Sequence, residues 1–141
     1  METKKVVLVG DAMVGKTSLV QKMQGKDMTH YIVTLGVEVQ PIVYGQRRYI
    51  VWDCAGDPRY RGLGEGYYNQ SDIVIIMYKN DLHSTLDWEE SVRRVCPNTP
   101  IVKCVNHHFN DTFSQVEGNV FHLNTLSGKG IKDLFNRLVF L

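Results

Sequence analysis

The sequence lacks the features that are typical of several classes of protein. Its formal net charge is +1, so it has no excess of one sign of charge that would attract nucleic acid or an acidic surface. Only three of its 141 residues are Cys, and none of them has C-x-x-C spacing, which disfavours a disulfide framework or a cysteine metal site. No apolar run approaches the length that crosses a membrane. We therefore predict a globular domain without nucleic acid or membrane as a direct partner.

The ends of the sequence carry no targeting pattern. Residue 2 is Glu rather than the Gly that myristoylation requires, and residues 138–141 contain no Cys for prenylation. The first residues also lack the apolar core of a secretory signal. We expect a soluble protein without a lipid anchor.

What the sequence does contain is a phosphate-binding loop near its start. Residues 10–17 read G-D-A-M-V-G-K-T and fit G-x-x-x-x-G-K-[ST], after a strand-like apolar run and before a helical pattern. Backbone N–H groups of such a loop converge on one anion, which the dipole of the following helix also favours. Lys16 adds a cation for the outer phosphates, and the Thr17 hydroxyl can bind Mg²⁺. The predicted nucleotide polyphosphate site comprises Asp11, Ala12, Met13, Val14, Gly15, Lys16, Thr17 and Ser18.

Strand-like and helix-like segments alternate along the chain, which is typical of an α/β domain. Apolar runs predict strands at 6–9, 37–44, 49–52, 73–78, 101–104 and 120–123. Helical patterns lie at 16–24, 86–96 and 130–140. A turn at Gly45 predicts an antiparallel hairpin, whereas the stretch up to residue 119 is polar and irregular. We predict one domain over 1–141, with about six mostly parallel strands, one antiparallel hairpin strand and helices on both faces.

A second phosphate-sensing pattern follows the strand that ends near residue 52. Asp53 and Gly56 form D-x-x-G, in which the Asp can hold the Mg²⁺ shell through water and the Gly lets a backbone N–H approach the terminal phosphate. Thr34 lies in a polar loop and can offer its hydroxyl to Mg²⁺. The predicted magnesium residues are Thr17, Thr34 and, through water, Asp53.

Four segments around these motifs resemble the Ran family of the Ras-superfamily small GTPases. They are residues 31–39, 62–63, 66–68 and 94–102, within a resemblance that extends over about 5–106. It implies the three-layer phosphate-loop NTPase fold of a small GTPase, with GTP or GDP and Mg²⁺ bound. It also implies a monomeric switch of nucleus and cytoplasm that docks importin-type transport receptors and a Ran-type exchange factor through its switch loops. No counterpart of the family's C-terminal tail is expected.

The catalytic position departs from the family pattern. The resemblance implies Lys16, Thr34, Gly56 and residue 57 as the catalytic set, but residue 57 is Asp, followed by Pro58, where the family has a Gln that orients water. A short anionic side chain would be repelled by the terminal phosphate, so we predict slow GTP hydrolysis. The alternative is that Asp57 acts as a base. A residue larger than Gly at position 12, here Ala, also favours slow turnover.

The base-binding motif departs further. Where the family has N-K-x-D to grip guanine, residues 106–109 read N-H-H-F, so Phe109 replaces the carboxylate acceptor. The family's S-A-K loop aligns only weakly with residues 124–126. The residues that the resemblance assigns to the base are Asn106, His107, Phe109, Asn124, Thr125 and Leu126. Because a bidentate carboxylate contact is lost, we predict weakened guanine specificity.

Several alternatives stay open. Asn110 or Asp111 could supply a displaced acceptor, and Phe109 or His107 could stack on the base instead, while the aromatic residue that usually covers guanine aligns with Asp27. The chain could also be a non-cycling module, locked in one state, that competes for transport receptors. A different phosphate-loop enzyme such as a small kinase is disfavoured, because no lid-like insertion is present.

Overall fold

The computed structural model describes residues 2–24, 37–54, 68–84, 86–107, 112–113, 116–117 and 119–141. The strands are β1 (Glu2–Val9), β2 (Val37–Tyr44), β3 (Arg47–Cys54), β4 (Ile73–Lys79), β5 (Ile101–Asn106), β6 (Val116–Glu117) and β7 (Val120–Leu123). The helices are α1 (Lys16–Met23), α2 (Trp88–Val95) and α3 (Ile131–Leu138).

All of these strands form one sheet in the order β2-β3-β1-β4-β5-β7-β6. The five central strands, from β3 to β7, pair in parallel, whereas β2 is antiparallel to β3 and β6 is antiparallel to β7. The parallel strands therefore direct their carboxyl ends to one edge of the sheet, where β1, β3 and β5 end. The predicted α/β phosphate-loop fold with its antiparallel hairpin is confirmed.

The observed elements differ from the predicted ones mainly at their ends. Strand β1 begins at Glu2 rather than residue 6, because residues 2–5 pair with β3 although they are polar. Strand β6 lies in a stretch predicted to be irregular, and that prediction is wrong for these two residues because β7 provides a partner strand. Helix α2 begins at Trp88 rather than 86, because the Asp87 carboxylate accepts from the Glu90 N–H (3.0 Å) and caps the helix there.

The sheet separates two apolar cores. Side chains alternate along β1, so Val6 and Leu8 face one core while Val7 and Val9 face the other. The first core is covered by α1 and α3, and the second by α2. Strand β4 is buried through residues 73–78 because both of its faces are covered. No helix in the described part of the chain has the length and apolarity needed to cross a membrane.

Candidate functional site

The loop between β1 and α1 depends on two glycines. Gly10 has a φ of +151°, and a Cβ at this position would clash with the Met77 carbonyl oxygen on β4. Gly15 has a φ of +103°, and a Cβ there would clash with Asn106 Nδ2. Only Gly combines these backbone angles with such close approach. The glycines of the motif thus hold the loop against the ends of β4 and β5.

Lys16 lies inside this loop rather than in solvent. Its side chain is 6% exposed, and Nζ donates to the carbonyl oxygens of Gly10 (2.9 Å) and Asp11 (2.7 Å). Burial lowers the pKa of Lys16 to about 8, against the opposing effect of the Asp53 charge. The loop therefore holds one ammonium group in a fixed place, where an anion would restore its full charge.

Thr17 and Asp53 meet beside this ammonium group. Thr17 Oγ1 donates to Asp53 Oδ2 (2.6 Å), which joins the start of α1 to the carboxyl end of β3. Asp53 is 1% exposed, and its second oxygen, Oδ1, has no hydrogen-bond partner among the described residues. Burial raises the pKa of Asp53 to about 6, although the Thr17 hydrogen bond and Lys16 both act to lower it.

These residues fit the Mg²⁺ and phosphates that the motif implies. A buried carboxylate with an oxygen to spare and an adjacent hydroxyl are the oxygen donors that Mg²⁺ prefers. Lys16 and the loop N–H groups suit the phosphates. Mg²⁺ would neutralise charge on the phosphate oxygens when bound. We call residues 10–17 together with Asp53 the phosphate site.

The other predicted loop residues differ in exposure. Val14 and Ser18 are buried, whereas Ala12 and Met13 are exposed. Met13 also has a φ of +64°, in the left-handed region that residues other than Gly rarely adopt. The outer half of the loop, at residues 12 and 13, therefore faces solvent.

Asn106, the last residue of β5, joins two loops at the same edge of the sheet. It is fully buried; its Nδ2 donates to the Val14 carbonyl (2.9 Å) and to Thr125 Oγ1 (3.0 Å), and its Oδ1 accepts from the Thr125 N–H (3.1 Å). The loops after β1 and β7 are thereby joined to the end of β5. Asn106 and Thr125, which the sequence assigned to the base, lie beside the phosphate loop.

The Asn124 side chain shapes the loop that carries Thr125. Its Oδ1 accepts from the N–H groups of Leu126 (2.8 Å) and Ser127 (3.2 Å), which is a local turn of the Asx type. Leu126 is 57% exposed, so its side chain lies at the surface. The structure thus brings the predicted 124–126 segment to the predicted 106–107 segment.

His107 makes contacts that the sequence did not indicate. Its Nε2 lies 2.8 Å from His122 Nδ1, and its ring stacks on Phe113 at a centroid distance of 4.5 Å. Lys129 Nζ lies 4.6 Å from the centre of the Phe113 ring. Burial, followed by the nearby His122, lowers the pKa of His107. Among the described residues there is no group of three metal-ligating side chains, so this pair does not form a metal site by itself.

Four predicted site residues fall outside the described ranges. They are Thr34, Gly56, Asp57 and Phe109. The alternative positions Asp27, Asn110 and Asp111 lie outside them too. The predicted roles of these residues stay predictions.

One contact of the phosphate site was missed in the sequence. Trp88, the first residue of α2, donates its indole N–H to Asp11 Oδ1 at 2.8 Å. The two residues are 77 positions apart, and nothing in the local pattern around either one pairs them. The only indication in the sequence that Trp88 holds a fixed position is that it directly follows Asp87, the residue that caps the helix.

The sequence matches a family model over the part of the chain that builds these loops. The model is described as Roc, Ras of Complex, domain of DAPkinase, and it matches residues 5–109. The match spans well over half of the chain and includes the phosphate loop, Asp53 and Asn106.

Proposed function

We propose that this chain, which belongs to the Roc (Ras of Complex) family of Ras-like GTPase domains, is a magnesium-dependent nucleotide switch that hydrolyses GTP slowly. Family membership supports the use of GTP and GDP. The observation that carries the proposal is the hydrogen bond from Thr17 to the buried Asp53 carboxylate, beside the buried Lys16 ammonium. A buried cation and a buried carboxylate with an orphaned oxygen are costly unless ligands complete them.

The slow turnover and the weak selectivity for guanine are the more specific parts of the proposal. Both rest on the sequence: Asp57 stands at the position of the water-orienting Gln, and Phe109 stands at the position of the guanine-gripping Asp. A site that lacks its polar partner for guanine discriminates less well between bases. We therefore expect GDP and ADP to compete more evenly than they would at an intact motif.

The cellular role is proposed from the resemblance to the Ran family. The segments at 31–39, 62–63 and 66–68 support docking of importin-type transport receptors and a Ran-type exchange factor in nucleus and cytoplasm. A second candidate is a non-cycling module that occupies the same receptors in one nucleotide state. Asp57 followed by Pro58 favours this candidate, because both changes act against turnover. Receptor capture that depends on whether GTP or GDP is loaded would favour the switch over the non-cycling module.

Nucleotide binding itself can be tested at Lys16. We expect Lys16→Ala to lower the affinity for a fluorescent GDP analogue with Mg²⁺ by at least roughly tenfold, because the variant loses the fixed charge against the outer phosphates. Lys22→Ala is the matched control, since it removes a Lys from the last turn of the same helix. Equal binding by wild type and Lys16→Ala would overturn the proposed function.

A further inference from the structure

The buried side chain of Trp88 connects helix α2 to the phosphate loop. Trp88 is 2% exposed and packs in the core on the α2 side of the sheet. Its Nε1 nevertheless reaches the loop and donates to Asp11 Oδ1 at 2.8 Å. A hydrogen bond from a buried donor to a carboxylate is among the stronger hydrogen bonds in proteins.

Asp11 connects Trp88 to Lys16, because it accepts a hydrogen bond from each of them. Its side chain accepts from Trp88, while its backbone carbonyl accepts from Lys16 Nζ at 2.7 Å. The position of that carbonyl is therefore fixed from two directions, by the chain path after Gly10 and by the indole. A loop that is held in its binding geometry before the ligand arrives loses less conformational freedom on binding.

Trp88 is itself held firmly. Helix α2 begins directly at this residue, and the Asp87 carboxylate caps it by accepting from the Glu90 N–H at 3.0 Å. The Trp88 N–H donates to the Leu86 carbonyl at 3.1 Å. The indole thus belongs to a rigid element and not to the loop that it restrains.

From these contacts we infer that Trp88 is a positioning residue of the nucleotide site, which acts on Lys16 through the Asp11 carboxylate. The inference rests on the proposed nucleotide binding. The indole N–H of Trp88, and not merely the bulk of its ring, contributes to the affinity for the nucleotide phosphates.

Three variants test this inference. Trp88→Phe keeps an aromatic ring in the core but removes the donor, and we expect it to lower affinity for the fluorescent GDP analogue about tenfold. Asp11→Ala should lower affinity to the same extent, whereas Asp11→Asn keeps the acceptor Oδ1 and should recover part of the affinity that Asp11→Ala loses. Trp52→Phe, which removes the other of the chain's two indoles, is the matched control and should leave affinity unchanged.

A double-mutant cycle separates positioning from general loss of packing. If Trp88 acts through Asp11, Trp88→Phe combined with Asp11→Ala should bind about as well as Asp11→Ala alone. Losses that add fully, or a Trp88→Phe variant that binds like wild type, would overturn the inference and leave the proposed function intact. A wild-type protein that binds no nucleotide would overturn both. If Trp88→Phe fails to fold, the comparison of Asp11→Ala with Asp11→Asn still decides the role of the acceptor.

Discussion

Lys16 and Asp53 lie close together at the base of the phosphate site, and burial shifts both of them towards their neutral forms. Burial lowers the pKa of Lys16 to about 8 and raises the pKa of Asp53 to about 6. Phosphate needs the charged ammonium, and Mg²⁺ needs the charged carboxylate. Between these two pKa values, both side chains carry the charge that the ligands require.

The affinity for nucleotide with Mg²⁺ should therefore peak between about pH 6 and about pH 8. Below this range Asp53 takes up a proton and loses its attraction for the cation, and above it Lys16 loses its proton and its attraction for phosphate. Titrations of the fluorescent GDP analogue from about pH 5 to about pH 9.5 measure this.

The control is Asp53→Asn. It should bind more weakly than wild type above about pH 6 and about equally at about pH 5, where Asp53 is protonated in the wild type too. The fall in affinity on the basic side should remain but begin below about pH 8, because the Asp53 charge no longer raises the pKa of Lys16. A wild-type affinity that stays constant across the whole range would contradict the assignment of these two groups to the ligands.

The rate of GTP hydrolysis should depend on the side chain of a single residue, Asp57. We expect wild-type turnover at or below the ~10⁻⁴ s⁻¹ of unassisted small GTPases, and we expect Asp57→Gln to raise it, because an amide can orient water without repelling phosphate. Single-turnover release of phosphate from GTP measures the rate. Asp57→Ala relieves the repulsion without positioning water, so it should gain less than Asp57→Gln. A slower Asp57→Gln would instead identify Asp57 as a base.

Single residues were predictable from the sequence where a motif fixes their spacing. Lys16 and Thr17 begin helix α1 after the loop that follows β1, and Asp53 lies near the end of β3. They lie close together because β1 and β3 are neighbours in the sheet. The link from Trp88 to Asp11 was not predictable, because it depends on how helix α2 packs on the sheet. The pairing of His107 with His122 depends in the same way on the register between β5 and β7.

At the scale of elements, the carboxyl-terminal edge of the sheet is held together by Asn106. The alternation of apolar strands and helical patterns predicted an α/β domain, and the resemblance of four segments implied the superfamily of small GTPases. Both are confirmed. The two-residue strand β6 was not predictable, since its partner strand and not its own composition makes it a strand. The contacts of Asn106 likewise belong to no single element.

Replacing Asn106 should loosen both of the loops that it joins to the end of β5. Asn106→Ala removes three hydrogen bonds and leaves the Val14 carbonyl and the Thr125 N–H without these partners in a buried place, so we expect a loss of roughly 2–4 kcal/mol in the free energy of unfolding. Chemical denaturation of the nucleotide-free protein measures this loss. Asn136→Ala, which removes an acceptor from an exposed hydrogen bond with Tyr44, should cost within about 0.5 kcal/mol. Similar small losses for both variants would mean that Asn106 does not lock the loops.

At the scale of the whole molecule, the three cysteines can be used to follow the opening of the cores on both sides of the sheet. Cys54 and Cys96 lie in the core on the α2 side, and Cys104 lies in the core under α1 and α3. All three are free and buried. Burial raises the pKa of Cys54 to about 12 and raises the pKa of Cys104 as well, while Cys96 Sγ donates to the Tyr68 carbonyl at 2.9 Å. In the folded protein the thiols of Cys54 and Cys104 are therefore protonated, and all three thiols are poorly accessible to reagents because they are buried.

Because the two cores share one sheet, the three thiols should become reactive together, when the whole domain opens. Nucleotide with Mg²⁺ at about 100 times its Kd should stabilise the folded state by about 2.7 kcal/mol and slow the labelling of all three cysteines by roughly 100-fold. A time course of alkylation followed by mass spectrometry measures each site separately. Lys16→Ala at the same ligand concentration should lose most of this protection, since its binding is weaker. If one cysteine reacts at the same rate with and without nucleotide, the segment around that cysteine opens locally. Nucleotide binding then does not stabilise this segment.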